Sequence, residues 1–598
     1  MANKKKRTEK KTSVIDLLPY IFIVAVVPLI VYLHIDDLDP AEDAIWKTRD
    51  FYPDLLSYCK SLWFRIASAF GLCLFAFRII QGRVQLKQRL SLYVPAAVYI
   101  IFIILSTVTS KYASIALSGF VARYEGMLVL VFYIINMLIL FNVIREEWQI
   151  QFLLKSLLVS ACVISLIGLT QFAGRDFFQT GLGKSLILPA EFVESELSFN
   201  FGTMVYGTLS NPNYMGSYVA LVFPIAVMIV LMSEKVALRS GAAVLSVLLL
   251  VNLVGSGSDA GLVGLGAGAI IAAVYFLRKY RKYLFRNKII VILSVAIVLA
   301  AGGFLTREMV SRFEAESAQT YYLEDITFNK GSARIISSTE TLEIRFTEEQ
   351  LTFYDAEGNN LHVNVKEGET GINITFKESA YQCYRLKVTE DVLEIRNGDV
   401  GFFIRLDGGS LRLVGINEDE TNRIVKPEAI DVKGYEKVGS ARAYIWSRTI
   451  PLLKNTALAG YGPDTFAIVF PQNDYIGKIN AYNTPLMIVD KPHNMYLQIA
   501  INTGILSLVA FLAIIVVYLV TGIKACFLNH AAGRISQYGA GIFIGICAYL
   551  VAGFFNDSSI AVAPVFWVLL GIGFACNIMA ASDMDGHRKS AVSHEQRQ

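Results

Sequence analysis

The sequence predicts a mainly α membrane protein with an inserted antiparallel β domain, and three observations carry that prediction. Hydrophobic residues make up 54% of the 598 residues, and mean hydropathy is +0.49, too apolar for an ordinary soluble chain. About twelve windows reach the ~20 apolar residues that crossing a bilayer needs. Between residues 322 and 430 the pattern changes to short alternating runs separated by turn residues, the mark of hairpin-connected strands.

The windows fall near 15–35, 61–80, 91–110, 127–144, 150–171, 213–232, 241–257, 260–277, 288–305, 494–520, 538–556 and 561–580. The chain therefore divides into membrane helices over 1–305, an outer segment over 306–492, membrane helices over 493–580 and a tail over 581–598. Lys4, Lys5, Lys6 and Arg7 precede the first window, and Arg78, Arg83, Lys87 and Arg89 follow the second. Arg278, Lys279, Arg281 and Lys282 precede the ninth, and Arg588 and Lys589 follow the last. These clusters occupy alternate loops, so both termini and the tail are expected in the cytoplasm, with 306–492 outside. The first window lacks a small-residue cleavage site and reads as a retained anchor.

This topogenic bias accounts for most of the net charge of +4, which gives no case for nucleic-acid binding. The seven cysteines show no CxxC spacing, and no cluster of ligand types suggests a metal or a cofactor.

Within 306–492, runs such as Leu342-Glu343-Ile344-Arg345-Phe346 and Val392-Leu393-Glu394-Ile395-Arg396 alternate apolar and polar side chains. Gly358-Asn359-Asn360, Asn397-Gly398-Asp399 and Asp407-Gly408-Gly409 supply the turns. Helical character returns after 431, where Arg442 and Arg448 flank Trp446. Snorkelling at a bilayer rim is one role for these arginines; bidentate binding of a phosphate is the other.

The segment Asp490-Lys491-Pro492-His493-Asn494 closes this polar stretch and opens an apolar one. Pro492 suits a first helical turn capped by Asp490, which would put His493, Leu497 and Ile501 on one face. The positive end of that helix would favour an anion and a neutral, proton-accepting imidazole. Simple capping by His493 and Asn494 fits the same pattern.

Four motifs carry a family resemblance. Gly207-Thr208-Leu209-Ser210-Asn211-Pro212-Asn213 resembles the G-T-x-x-N-P-N segment of the O-antigen ligase and polymerase family. Arg123-Tyr124-Glu125-Gly126 resembles its outer arginine-glycine motif, and Arg442 with Trp446, then Gly460-Tyr461-Gly462-Pro463, resembles its long outer loop. His493-Asn494 followed by Gly504 resembles its histidine motif. Two positions depart from the pattern: Ser507 stands where Gly, Thr or Tyr is preferred, and Asp259 where many relatives carry arginine. The resemblance implies a glycosyltransferase-C-like membrane fold that moves a glycan from undecaprenyl diphosphate to an acceptor hydroxyl on the outer face of a bacterial membrane. The acceptor would be a glycan, a lipid or a protein. Ligase and polymerase share this donor chemistry, so the motifs leave both open.

The chemistry has its own logic. An enzyme outside the membrane has no ATP or nucleotide sugar, so its donor must arrive activated. Displacement at the anomeric carbon then requires a base, for which His493 is best placed of six histidines. It also requires cations for the departing diphosphate; Arg442, Arg123 and Lys491 are the candidates, with Arg448. Asn211, Asn213 and Asn494 suit sugar contacts and helix capping equally. Tyr461, Phe466, Phe470, Tyr475, Tyr482 and Tyr496 suit a groove or plain packing. A polysaccharide or lipid transporter would place charges deep inside its spans, and a receptor would couple to a cytoplasmic partner; mostly apolar mid-span positions and short cytoplasmic loops favour an enzyme and leave both as alternatives.

Overall fold

The computed structural model describes residues 13–43, 45–46, 51–193, 204–279, 307, 311, 321–347, 350–416, 419–528 and 533–595. Among them, nine helices are long and apolar enough to cross a membrane. They include α2 (Tyr58–Ile80), α3 (Leu90–Thr109), α5 (Glu147–Phe172), α6 (Pro212–Met232), α7 (Val236–Ser256) and α8 (Asp259–Lys279), and two shorter apolar helices, α1 (Val14–Leu29) and α4 (Met127–Val143), accompany them. The expected window at 288–305 lies outside the described residues. The other eleven expected windows fall on these nine long and two shorter apolar helices.

Sorting by burial explains the bundle. Most of α6 is buried, whereas only a small part of α2 and α7 is. Outward-facing side chains on the peripheral helices are apolar, among them Leu90, Val108, Val159, Val247 and Val254, as a lipid surround demands. At the centre, a Cβ on Gly261 of α8 would stand 2.5 Å from the Gly216 backbone of α6, so glycine at both positions permits the close approach.

Eleven strands follow. In the first antiparallel sheet the order is β3 (Leu323–Asn329), β4 (Ser332–Ser337), β5 (Thr341–Thr347) and β6 (Gln350–Tyr354). The second runs from β7 (Val363–Gly368) through β8 (Gly371–Phe376), β9 (Tyr384–Thr389), β10 (Val392–Asn397), β11 (Val400–Asp407) and β12 (Ser410–Val414) to β13 (Glu420–Thr421). A small hairpin, β1 (His34–Asp37) with β2 (Phe51–Asp54), lies earlier in the chain. Alternate side chains such as Ile335, Ile344, Leu393, Ile395 and Ile404 fill one core between the two larger sheets.

Helix α9 (Arg442–Leu452) and α10 (Tyr475–Tyr482) follow the sheets. Ile476 and Ile479 of α10 join the strand core. The Asn480 side chain accepts from the Leu323 amide and donates to the Leu323 carbonyl, both at 2.9 Å. The sandwich is therefore tied to the helical chain by a bidentate contact.

The expected helix at 494–520 is two helices, α11 (Met495–Thr503) and α12 (Ile505–Ile523), interrupted at Gly504 with φ +102°. The start differs too. Asn494 is the N-cap, its side chain accepting from the amides of Tyr496 and Leu497, each at 3.0 Å. His493 precedes the cap at φ +48°, so it does not share a helical face with Leu497 and Ile501. An asparagine oxygen satisfies two orphan amides at once, which a cap at Asp490 could not do because Pro492, two residues on, lacks an N–H. The chain ends in α13 (Arg534–Ala552) and α14 (Ala563–Glu595).

Candidate active site

Four turns meet at one end of the bundle: 119–126 before α4, 204–211 before α6, 490–494 before α11 and 553–562 between α13 and α14. They enclose, with the β1–β2 hairpin, a cavity of about 830 Å³. Arg123, Lys491, Asn211, Tyr214 and Asp490 line it, together with Ser558 and an apolar wall that includes Leu33, Leu55 and Phe192.

Arg123 is set by the glycine turn after α9. The Tyr461 and Gly462 amides donate to the Ile501 and Asn502 carbonyls at 2.9 Å, and Asp464 emerges from that turn at φ +61°. Its Oδ1 accepts from Arg123 Nε at 2.6 Å, and Oδ2 accepts from the Phe120 and Glu125 amides at 2.9 and 3.1 Å. Burial opposes the guanidinium charge, but Asp464, Tyr214, Asp557 and Glu125 outweigh it and raise its pKa. Arg123 Nη1 is buried without a hydrogen-bond partner. A buried unpaired donor on a cation is costly, and an anion would relieve it.

Lys491 stands 5.5 Å over the Tyr214 ring and 3.5 Å from Asp490 Oδ2. Burial again works against its charge, while Asp490, Tyr214 and Asp557 overcome it and raise its pKa.

His493 Nδ1 lies 3.2 Å from Asp557 Oδ2, whose side chain is fully buried. Burial pushes the Asp557 pKa upward, but His493, Arg123 and Lys491 together hold it below the usual carboxylate value. One ionised carboxylate thus gathers the imidazole and both cations. The contact is electrostatic, since neither Asp557 oxygen makes a hydrogen bond among the described residues; a carboxylate facing Nδ1 favours the proton on that nitrogen and leaves Nε2 to accept. His493 is not itself among the residues lining the cavity.

Helix α9 braces both turns. Trp446 Nε1 donates to the Pro492 carbonyl at 2.8 Å, and Arg442 Nε donates to the Phe555 carbonyl at 3.1 Å. Arg442 Nη1 also donates to the Gly439 carbonyl at 2.7 Å. Arg442 therefore touches the turn that presents Asp557.

The remaining predicted residues separate. Asn211 caps α6, accepting from the Asn213 amide at 2.8 Å, while the Asn213 carbonyl accepts from Asn556 at 2.7 Å. Arg448 stands apart, donating to Asp474 at 2.8 Å and stacking 4.7 Å over Tyr444. Phe466, Phe470 and Tyr482 belong to a packed cluster with Tyr444, and Tyr475 to the strand core. Neither these aromatics nor Asp259 line the cavity. Among the described residues, no group of three or more His, Cys, Asp or Glu side chains is arranged to hold a metal ion.

Sequence reasoning missed Asp557, Asp464 and Glu125. An acid inside Phe554-Phe555-Asn556-Asp557-Ser558, between two apolar windows, was the available signal for the first.

A multi-pass membrane protein with buried cations and a carboxylate-held histidine at one end of its bundle is the class these observations define. Residues 406–512 match the family model described as Wzy_C, O-antigen ligase, and over that stretch the chain is similar to that family. The match runs from β11 into α12 and takes in Arg442, Asp464, Lys491 and His493; Arg123, Asn211 and Asp557 lie outside it. No curated protein matches the chain.

Proposed function

We propose that this protein transfers a glycan from an undecaprenyl-diphosphate carrier to an acceptor hydroxyl on the outer face of a bacterial membrane, as an O-antigen ligase. One observation supports this reading above the others: the Asp557 carboxylate holds His493 at 3.2 Å and is shared electrostatically with Arg123 and Lys491, which line a cavity of about 830 Å³.

In this reading His493 Nε2 takes the proton of the acceptor hydroxyl as its oxygen attacks the anomeric carbon. The bond from that carbon to the diphosphate breaks, and the diphosphate leaves with the electron pair. Arg123, with its unpartnered Nη1, and Lys491 neutralise the growing charge without a divalent ion. The charged side of the cavity, at Arg123 and Lys491, holds the head group and first sugars, and its apolar wall suits the start of the polyprenyl tail. Asn211, Asn213 and Asn494 fix the turns that shape the site. Arg442 supports catalysis through the Phe555 carbonyl, and Arg448 stabilises the outer helices. The sandwich and both outer-segment halves lie outside the membrane, with both termini in the cytoplasm.

Repeat-unit polymerase is the second reading, because donor and chemistry are shared. Purified protein incubated with lipid-linked glycan discriminates them: a newly glycosylated acceptor supports the ligase, and chain-lengthened lipid supports the polymerase. Neither product from the intact protein would overturn both.

A further inference from the structure

Glu125 has no place in the chemistry above, yet it is 2% exposed and reaches from its own turn to the turn that carries Asp557. Its Oε1 accepts from the Tyr133 hydroxyl at 2.7 Å and from the Ser558 hydroxyl at 3.1 Å. Its Oε2 has no hydrogen-bond partner and lies 3.8 Å from Arg123 Nη2. Ser558 is fixed a second time, its amide donating to Gln498 of α11 at 2.7 Å. Glu125 and Ser558 also form the common wall between the large cavity and an interior one of about 40 Å³.

We propose that Glu125 is a positioning residue for glycan transfer, its ionised carboxylate joining the turn that carries Arg123 to the turn that carries Asp557. This rests on the reading of the site as a glycosyltransferase. Arg123 is two residues before Glu125, and Asp557 is one before Ser558. One oxygen therefore sets the spacing of both charges, and the other faces the guanidinium.

Packing alone does not explain the residue. A buried carboxylate is expensive, and a glutamine oxygen would accept the same two hydroxyl bonds. The groups facing it are Arg123 and Asp464 from the turns, Tyr133 of α4, Tyr99 of α3, Tyr549 of α13, and Ser558 beside Asp557. Burial pushes its pKa up to about 7; Asp464 adds to that, while Arg123, Tyr133 and Ser558 oppose it. The folded chain thus retains a proton that the unfolded chain has already lost above the ordinary value of 4.5. On this account stability falls as pH rises from there to about 7, and the ionised group costs stability above it. A costly charge beside an active centre is the pattern of function traded against stability.

Full-length Glu125→Gln in nanodiscs tests this at pH 8, by glycan transfer, thermal melting and hydrogen exchange of segment 553–562. The expected result is transfer at least ~10-fold slower, melting at or above that of wild type, and faster exchange in 553–562. The wild-type rate should also rise with pH through about 7, and that inflection should vanish in the variant. Glu125→Asp, which keeps the charge, should recover part of the rate. Wild-type transfer in Glu125→Gln overturns the proposal, as does lower melting together with unchanged exchange, which would mark a packing role. If the wild-type protein transfers no glycan, the functional reading falls by itself; exchange in 553–562 then decides whether Glu125 positions that turn.

Discussion

In the β sandwich, Arg405 reaches Asp391 at 2.7 Å and Glu420 at 3.0 Å, and Lys433 reaches Glu324 at 2.8 Å, with every one of these side chains at least a quarter exposed. In the turns between the helices, Arg123 meets Asp464 at 2.6 Å and His493 meets Asp557 at 3.2 Å, and the two acids are 1% and 0% exposed. Distances hardly differ between the regions; solvation does. Water screens the first set, so its members add little stability. The second set is desolvated, and such pairs rarely add net stability, although removing one partner strands the other. Charges retained where they add so little stability point to chemistry, and that contrast separates scaffold from site here.

The sharpest way to break the comparison is to remove the proposed base. His493→Ala is expected to cut glycan transfer by about 10²–10⁴ while leaving membrane insertion intact, measured as labelled acceptor formed per enzyme. Wild-type product levels would remove the proposed base. Asp464→Ala strands Arg123 and should destabilise the fold by about 3–5 kcal/mol, read as loss of thermal stability in detergent. Arg123→Lys keeps a charge but loses the Nε–H that pairs with Asp464 and the free Nη1, and a fall in transfer of about 10²-fold is expected. Asn494→Ala removes the α11 cap and should cost about 1 kcal/mol, with a smaller effect on rate. At the exposed extreme, Arg405→Ala should change stability by less than about 1 kcal/mol and leave transfer unchanged. A large effect there would erase the contrast.

The pH dependence of Asp557 gives one more check on the buried set. Its pKa is depressed in the folded protein, so its contribution is present above the ordinary carboxylate value and is lost as pH falls through the lower folded one. Asp557→Asn should therefore flatten the acid limb of a melting-temperature profile.

Long apolar periodicity made the spans legible, because any crossing helix must hide its backbone within one segment. Alternation made the strands legible for a similar reason: each side of a sheet declares its surroundings residue by residue. Cap geometry was less readable. Asp490-Lys491-Pro492-His493-Asn494 offers two acceptors able to start a helix, and the choice of Asn494 moved His493 off the helix. That single shift turned an expected member of a helical face into the ring that meets Asp557.

By itself the sequence determined a multi-helix membrane chain with an inserted antiparallel β domain, and it singled out His493, Arg123 and Lys491, because hydropathy and residue chemistry are local properties. Tertiary structure decided which charges are partners. Asp464 lies 341 positions from Arg123, and no short-range pattern encodes that separation. Folding brings such acids out of water and beside their cations, and only this shared desolvation distinguishes the groups of the site from ordinary charges at the ends of helices.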